Sequence, residues 1–212
     1  MEVGLVLIFW YGMLHAFGPD HLTAIADFSI GKNKHKTLMI TALFALGHGL
    51  SLFLFAKILQ HTALSEEFLA YGDMISASVI IGIGIYLLTM VLTDRIQLRK
   101  HRHGDKEHIH IWFGKSHEHN TIDNSSSFSL GLLMGAGGVR GMLITLGAVQ
   151  GGVVDLTMVG FFTLGVMLVF FAFGLLILYV NESFLGNLRN VRRAFATAGL
   201  ISLLVGTNIL LG

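Results

Sequence analysis

The 212-residue chain has no cysteine, a single proline and few charges, with Asp, Glu, Lys and Arg together making up 13%. Each shortage excludes something. Without thiols there is no disulfide, no thiolate metal site and no cysteine nucleophile. A metal would have to be held by nitrogen, oxygen or thioether ligands, a donor set that suits Ni(II), Co(II) or Zn(II) better than thiolate-bound Cu(I). Soluble domains carry about 25% charged residues, so the low charge leaves no room for a sizeable water-soluble body. A net charge of +1 offers no footprint for nucleic acid. The start, Met1-Glu2-Val3-Gly4, has no basic stretch, which predicts that no signal peptide is cleaved.

What is present is apolar: 53% of residues are hydrophobic and the mean hydropathy is +0.71. Six apolar runs cover residues 4–30, 37–59, 68–93, 128–149, 153–180 and 194–211. All exceed the roughly 9–11 residues of a barrel strand, so they read as transmembrane helices. The expected fold is an all-α polytopic membrane protein in contact with the lipid bilayer. Lys32, Lys34 and Lys36 fall in the first loop, Arg95, Arg99, Lys100, Arg102, Lys106 and Lys115 in the third, and Arg189, Arg192 and Arg193 in the fifth. The positive-inside rule then makes these loops cytoplasmic and puts both termini outside the cytoplasmic membrane.

The chain repeats itself. The segment from Ala16 to Leu22 aligns with that from Ala136 to Met142, and that from Phe44 to Leu50 with that from Phe162 to Leu168. Three helices per half is an odd number, so the second half would be inverted, as in many secondary transporters. The expected units are a first repeat over 1–93, a His-rich cytoplasmic loop over 94–127 and a second repeat over 128–212. Under the alignment, His15, Asp20, His21 and His48 correspond to Gly135, Arg140, Gly141 and Val166, which assigns the metal chemistry to the first half.

That chemistry starts at His15-Ala-Phe-Gly-Pro-Asp-His21, inside an apolar run. Ionisable groups within a membrane span usually mark an ion or substrate pathway. On a straight helix Asp20 lies about 140° and His21 about 240° round from His15, so one ion could not take all three. Pro19 has no N–H, which should free the carbonyl four residues back, at His15. Gly18 tolerates unusual dihedrals. The expectation is a helix broken at Gly18-Pro19, where irregular backbone lines a cavity. Gly47-His48-Gly49 lies at a similar depth in the second run, with small neighbours that let another helix approach. His15, Asp20, His21 and His48 are therefore the candidate metal ligands.

His15-Ala-Phe-Gly-Pro-Asp-His-Leu-Thr-Ala-Ile25 followed by Leu46-Gly-His-Gly-Leu-Ser-Leu52 resembles the NiCoT nickel/cobalt permeases, most closely their short six-helix, urease-linked relatives. The family's H-x4-D-H motif is matched at His15, Asp20 and His21, and its Gly-His pair at Gly47 and His48. The resemblance covers the first two helices. It implies movement of Ni(II) or Co(II) across the cytoplasmic membrane as transported substrate, with no permanent cofactor. A cytoplasmic metal chaperone is a candidate partner. Asp20 favours uptake. The loop pairs His101/His103, His108/His110 and His117/His119 form a candidate accessory metal loop and favour the alternative, efflux.

Other residues carry smaller expectations. Arg140, central in the fourth run, is a candidate charge partner for Asp20. Asp27, at the end of the first run, is a candidate exit step or a plain helix-end carboxylate. Asp73 and Asp155 lie near run starts, where a carboxylate suits a helix N-terminus. A non-enzyme is expected. An intramembrane metalloenzyme would need a general base, and there is neither an H-E-x-x-H motif nor an intramembrane Glu.

Overall fold

The computed structural model describes residues 2–62, 65–103, 106–113, 121–150 and 155–211. Its helices are α1 (Glu2–Ala16), α2 (Pro19–Ser29), α3 (Lys34–Leu59), α4 (Glu66–Leu92), α5 (Thr121–Gln150), α6 (Leu156–Phe184) and α7 (Leu188–Leu211). Between α4 and α5 lie two strands, β1 (Ile96–His103) and β2 (Lys106–Phe113). Helices α3 to α7 are each long and apolar enough to cross a bilayer, and α1 with α2 makes a sixth such stretch, bent by 58°. Leu46, Leu164, Leu175 and Leu204 are more than half exposed on the outside of the bundle. An exterior rich in exposed apolar side chains suits contact with lipid. These are the features of a multi-pass membrane protein.

Local sequence explains the helix starts. Asn33 accepts a hydrogen bond from the Lys36 N–H at 2.9 Å, and Ser65 one from the Phe68 N–H at 3.2 Å. Asp155 accepts one from the Thr157 N–H at 2.7 Å, and so caps α6 as its position suggests. Asp73 differs. It lies inside α4, well past the first turn, and serves no cap.

Five helices start earlier than hydropathy places them, α5 and α7 by the most. Helix α5 begins at Thr121 rather than 128, and α7 at Leu188 rather than 194. Arg189, Arg192 and Arg193 are therefore helical, not loop residues. Asn187 accepts from the Asn190 N–H at 2.8 Å, which supports a polar first turn that a hydropathy window passes over.

The segment read from sequence as a His-rich loop holds an antiparallel hairpin. Its register pairs Ile96 with Phe113, Leu98 with Ile111 and Lys100 with Ile109. The apolar positions recur every second residue, the period of a strand with one covered face. Ile96 is buried beside Ile30, Leu87, Leu185, Val191 and Phe195, in a small core at this end of the bundle.

The main core lies between the halves. Helix α1 packs along α6, α3 along α5 and α4 along α7. Four Phe-x-x-Gly sequences, at Phe9–Gly12, Phe44–Gly47, Phe128–Gly131 and Phe162–Gly165, set two of these crossings. A Cβ at Gly12 would overlap the Phe162 carbonyl oxygen, and one at Gly165 the Phe9 carbonyl oxygen. Likewise a Cβ at Gly47 would overlap the Phe128 oxygen, and one at Gly131 the Phe44 oxygen. Each glycine thus accepts the backbone of its partner's motif, reciprocally. Backbones this close need a residue without a side chain.

Candidate metal centre

Helix α1 ends at Ala16, and α2 restarts with Pro19 at its first position. There the missing N–H costs nothing, because the first helical N–H groups have no intrahelical partner. Gly18 has φ −49° and ψ 127°, values open to any residue. Glycine is needed for space instead: a Cβ would stand 2.6 Å from Asp20 Oδ1 and 3.1 Å from the His15 carbonyl oxygen. That carbonyl is not left free, as Pro19 suggested. It accepts from the Gly18 N–H at 2.9 Å, in a tight turn that closes α1.

The bend brings His15, in the last turn of α1, against His21, in the first turn of α2, with Nε2 atoms 3.1 Å apart. His48, midway along α3, completes the group. Its ring centroid lies 4.8 Å from that of His21 and 6.0 Å from that of His15. One nitrogen from each ring lies within 4.8 Å of the other two. Imidazole nitrogens bound to one ion at about 2.0–2.1 Å stand roughly 3 to 3.4 Å from each other, so modest closure would let the three share an ion.

The surroundings fit such an ion. His21 and His48 are buried, at 2% and 0% exposure. Both His48 nitrogens and His21 Nδ1 lack a hydrogen-bond partner among the described residues. Leaving buried polar groups unpaired is unfavourable, and coordination would satisfy one nitrogen of His48; His21 Nδ1 has the Asp20 carboxylate beside it, with Oδ2 3.3 Å away. Phe162 packs on His15 with ring centroids 5.4 Å apart, Phe170 on His48 at 5.4 Å, and Phe44 on His48 at 6.2 Å. The pocket is therefore aromatic-walled.

Asp20 takes a different place from the one its motif suggests. The converging group is the three imidazoles without it. Its Oδ2 lies 3.3 Å from His21 Nδ1, on the side of the ring away from His15, and its side chain is 20% exposed. Neighbours on a helix point about 100° apart; with His21 turned inward, Asp20 lies on the flank. A carboxylate there can fix the orientation of the imidazole.

Sequence reasoning missed the fourth wall, which comes from α5. A Cβ at Gly138 would stand 2.9 Å from His15 Nε2 and 3.3 Å from His48 Nε2, and one at Gly141 3.0 Å from His15 Nδ1. The repeat alignment carried the signal: it sets Gly138 against Gly18 and Gly141 against His21. Arg140, between these glycines, reaches Asp73 of α4, with Nη1 3.5 Å from Oδ2. Asp27 is 6% exposed, and its Oδ2 accepts from Ser202 of α7 at 2.6 Å. It belongs to the bundle interior and not to a solvated helix end.

The hairpin register pairs His101 with His108, Arg99 with His110 and His103 with Lys106. Positions 101, 103, 108 and 110 therefore share one face of the ladder. His117 and His119 lie outside the described residues. No family model, characterised protein or solved structure matches this chain.

Proposed function

We propose that this chain is a permease that moves Ni(II) or Co(II) inward across the cytoplasmic membrane, with His15, His21 and His48 as the ligands of the passing ion. The observation that carries the reading is three imidazoles from three helices, two buried and one half-buried, meeting at a helix break within a lipid-facing bundle. Asp20 holds His21 and offsets part of the ion's charge. Gly138 and Gly141 keep open the space the ion occupies. Asp27 is the next carboxylate along α2 and the exit step.

The inverted repeat belongs to the same proposal. Exchanging the halves turns the Gly12–Phe162 and Gly165–Phe9 contacts into Gly131–Phe44 and Gly47–Phe128, which is the behaviour of a pseudo-two-fold bundle. Such bundles expose a midplane site alternately to each side. The membrane potential favours inward movement of a divalent cation by about 4.6 kcal/mol per 100 mV, from about 2.3 per charge.

One observation favours efflux instead: four histidine positions on one face of the hairpin, at the end of the bundle with most basic residues. Radiolabelled nickel and cobalt accumulation separates the two. Cells making the intact chain should accumulate more metal than control cells, and His15→Ala or His48→Ala should abolish the gain. Accumulation below control would establish efflux. Equal accumulation with and without the chain would end the transport reading.

A further inference from the structure

At the end of the bundle that holds the first, third and fifth connections, a groove of about 590 Å³ opens between α4 and α7. Its lining is divided. Val91, Leu188 and Ala196 make an apolar floor, and Arg189, Arg192 and Arg193 supply guanidinium groups. Arg189, Arg192, Arg193 and Ala196 follow the i, i+3, i+4, i+7 spacing, so they form one stripe along α7. Arg192 is anchored: it donates to the Val91 carbonyl at 3.1 Å and pairs with Asp94. Arg189 and Arg193 have no hydrogen-bond or ion-pair partner among the described residues. One guanidinium is thus neutralised and fixed, while two carry charge unmatched among the described residues to the same groove.

We propose that this groove binds a phosphate-bearing anion, presented as the headgroup of an anionic phospholipid. Guanidinium groups match phosphate oxygens in fork geometry. Basic pockets between membrane helices on the cytoplasmic side are the usual seat of anionic headgroups. The apolar floor decides between lipid and free phosphate. Val91, Leu188 and Ala196 offer nothing to a bare ion, but suit the glycerol and upper acyl region of a lipid. The groove also lies where the apolar part of α7 gives way to its basic first turns, the level of headgroups in a bilayer. The bound lipid would tie the end of α4 to the start of α7, beside the small core that holds the hairpin. This proposal stands whether or not the protein carries metal.

The test is native mass spectrometry of the full chain in detergent, supplied with phosphatidylglycerol, with phosphatidylcholine, or with phosphatidylglycerol plus millimolar inorganic phosphate. The intact chain should retain phosphatidylglycerol, bind phosphatidylcholine weakly and resist displacement by phosphate. Arg189→Gln with Arg193→Gln should weaken binding about thirtyfold, since each basic residue near an anionic surface contributes about a factor of five. Lys34→Gln with Lys36→Gln, the same charge change at the same end, should leave it unchanged. Ala196→Trp, which fills the floor and keeps every arginine, should also expel the lipid, and it decides the matter if the double arginine variant does not fold. Equal loss in both charge-matched variants, equal binding of phosphatidylcholine, or displacement by inorganic phosphate would each overturn the proposal.

Discussion

The half before the hairpin and the half after it meet through matching backbone crossings, yet carry opposite chemistry at positions the alignment equates. Where the first half has His15, His21 and His48, the second has Gly135, Gly141 and Val166; where the first has Asp20, the second has Arg140. The close approaches match. Gly12 and Gly131, like Gly47 and Gly165, serve as close-approach points. Under the proposed inverted repeat, the difference is how two like halves would share a single site. In the proposed site one half supplies the donors and the other the room for them, because side chains at Gly138 and Gly141 would fill the space beside His15 and His48.

That comparison can be broken most forcefully at the donors. His48→Ala removes one of three ligands and should weaken nickel binding, measured by calorimetry on the purified chain, by more than the roughly hundredfold that outer-shell losses reach. A smaller loss would show that the imidazoles do not act as one group.

The room-making role predicts the next effect. Gly138→Ala places a methyl group 2.9 Å from His15 Nε2. It should lower nickel affinity by at least about tenfold, on the scale of outer-shell losses, while the thermal midpoint moves little. Unchanged affinity would return the whole site to the first half. Asp20→Asn should cost about 10–100-fold in affinity through His21, as losses of orienting carboxylates do, and should leave all three ligands in place by spectroscopy of a Co(II)-loaded sample.

The shared scaffold is tested by Gly131→Ala. Its methyl group would overlap the Phe44 carbonyl oxygen, and overpacking of this kind costs typically about 1–3 kcal/mol. Gly12→Ala, its counterpart, should cost a similar amount in a reversible unfolding assay. Sharply unequal costs would argue against equivalent crossings. The smallest effect belongs to Asp73→Asn. The ion pair with Arg140 is 3.5 Å long, with side chains 50% and 35% exposed, a pairing worth about 0.2–1 kcal/mol in such settings.

Much of this was legible in the chain and some was not. Pro19 announced the break, because a missing N–H is a property of one residue. His15, His21 and His48 were recognisable as polar groups stranded in apolar runs. Asp20 was legible as a neighbour of His21, but sequence spacing does not say which of the two turns inward. The hairpin was overlooked because its apolar face is only a few residues long and is interleaved with Arg, Lys and His. The Arg140–Asp73 contact joins residues 67 apart in the chain, and no local pattern specifies such a pairing.

The amino-acid sequence by itself determined that the chain lives in lipid, that its first span breaks, and that nitrogen donors sit at that break. Those outcomes follow from hydropathy and backbone chemistry, which act residue by residue. Only the packing of α3, α5 and α6 against the bent α1–α2 decided that three imidazoles converge, that Asp20 stands beside them and that glycines of the other half face them. Which side chains meet depends on helix rotation and crossing distance, and those are set jointly by residues far apart along the chain.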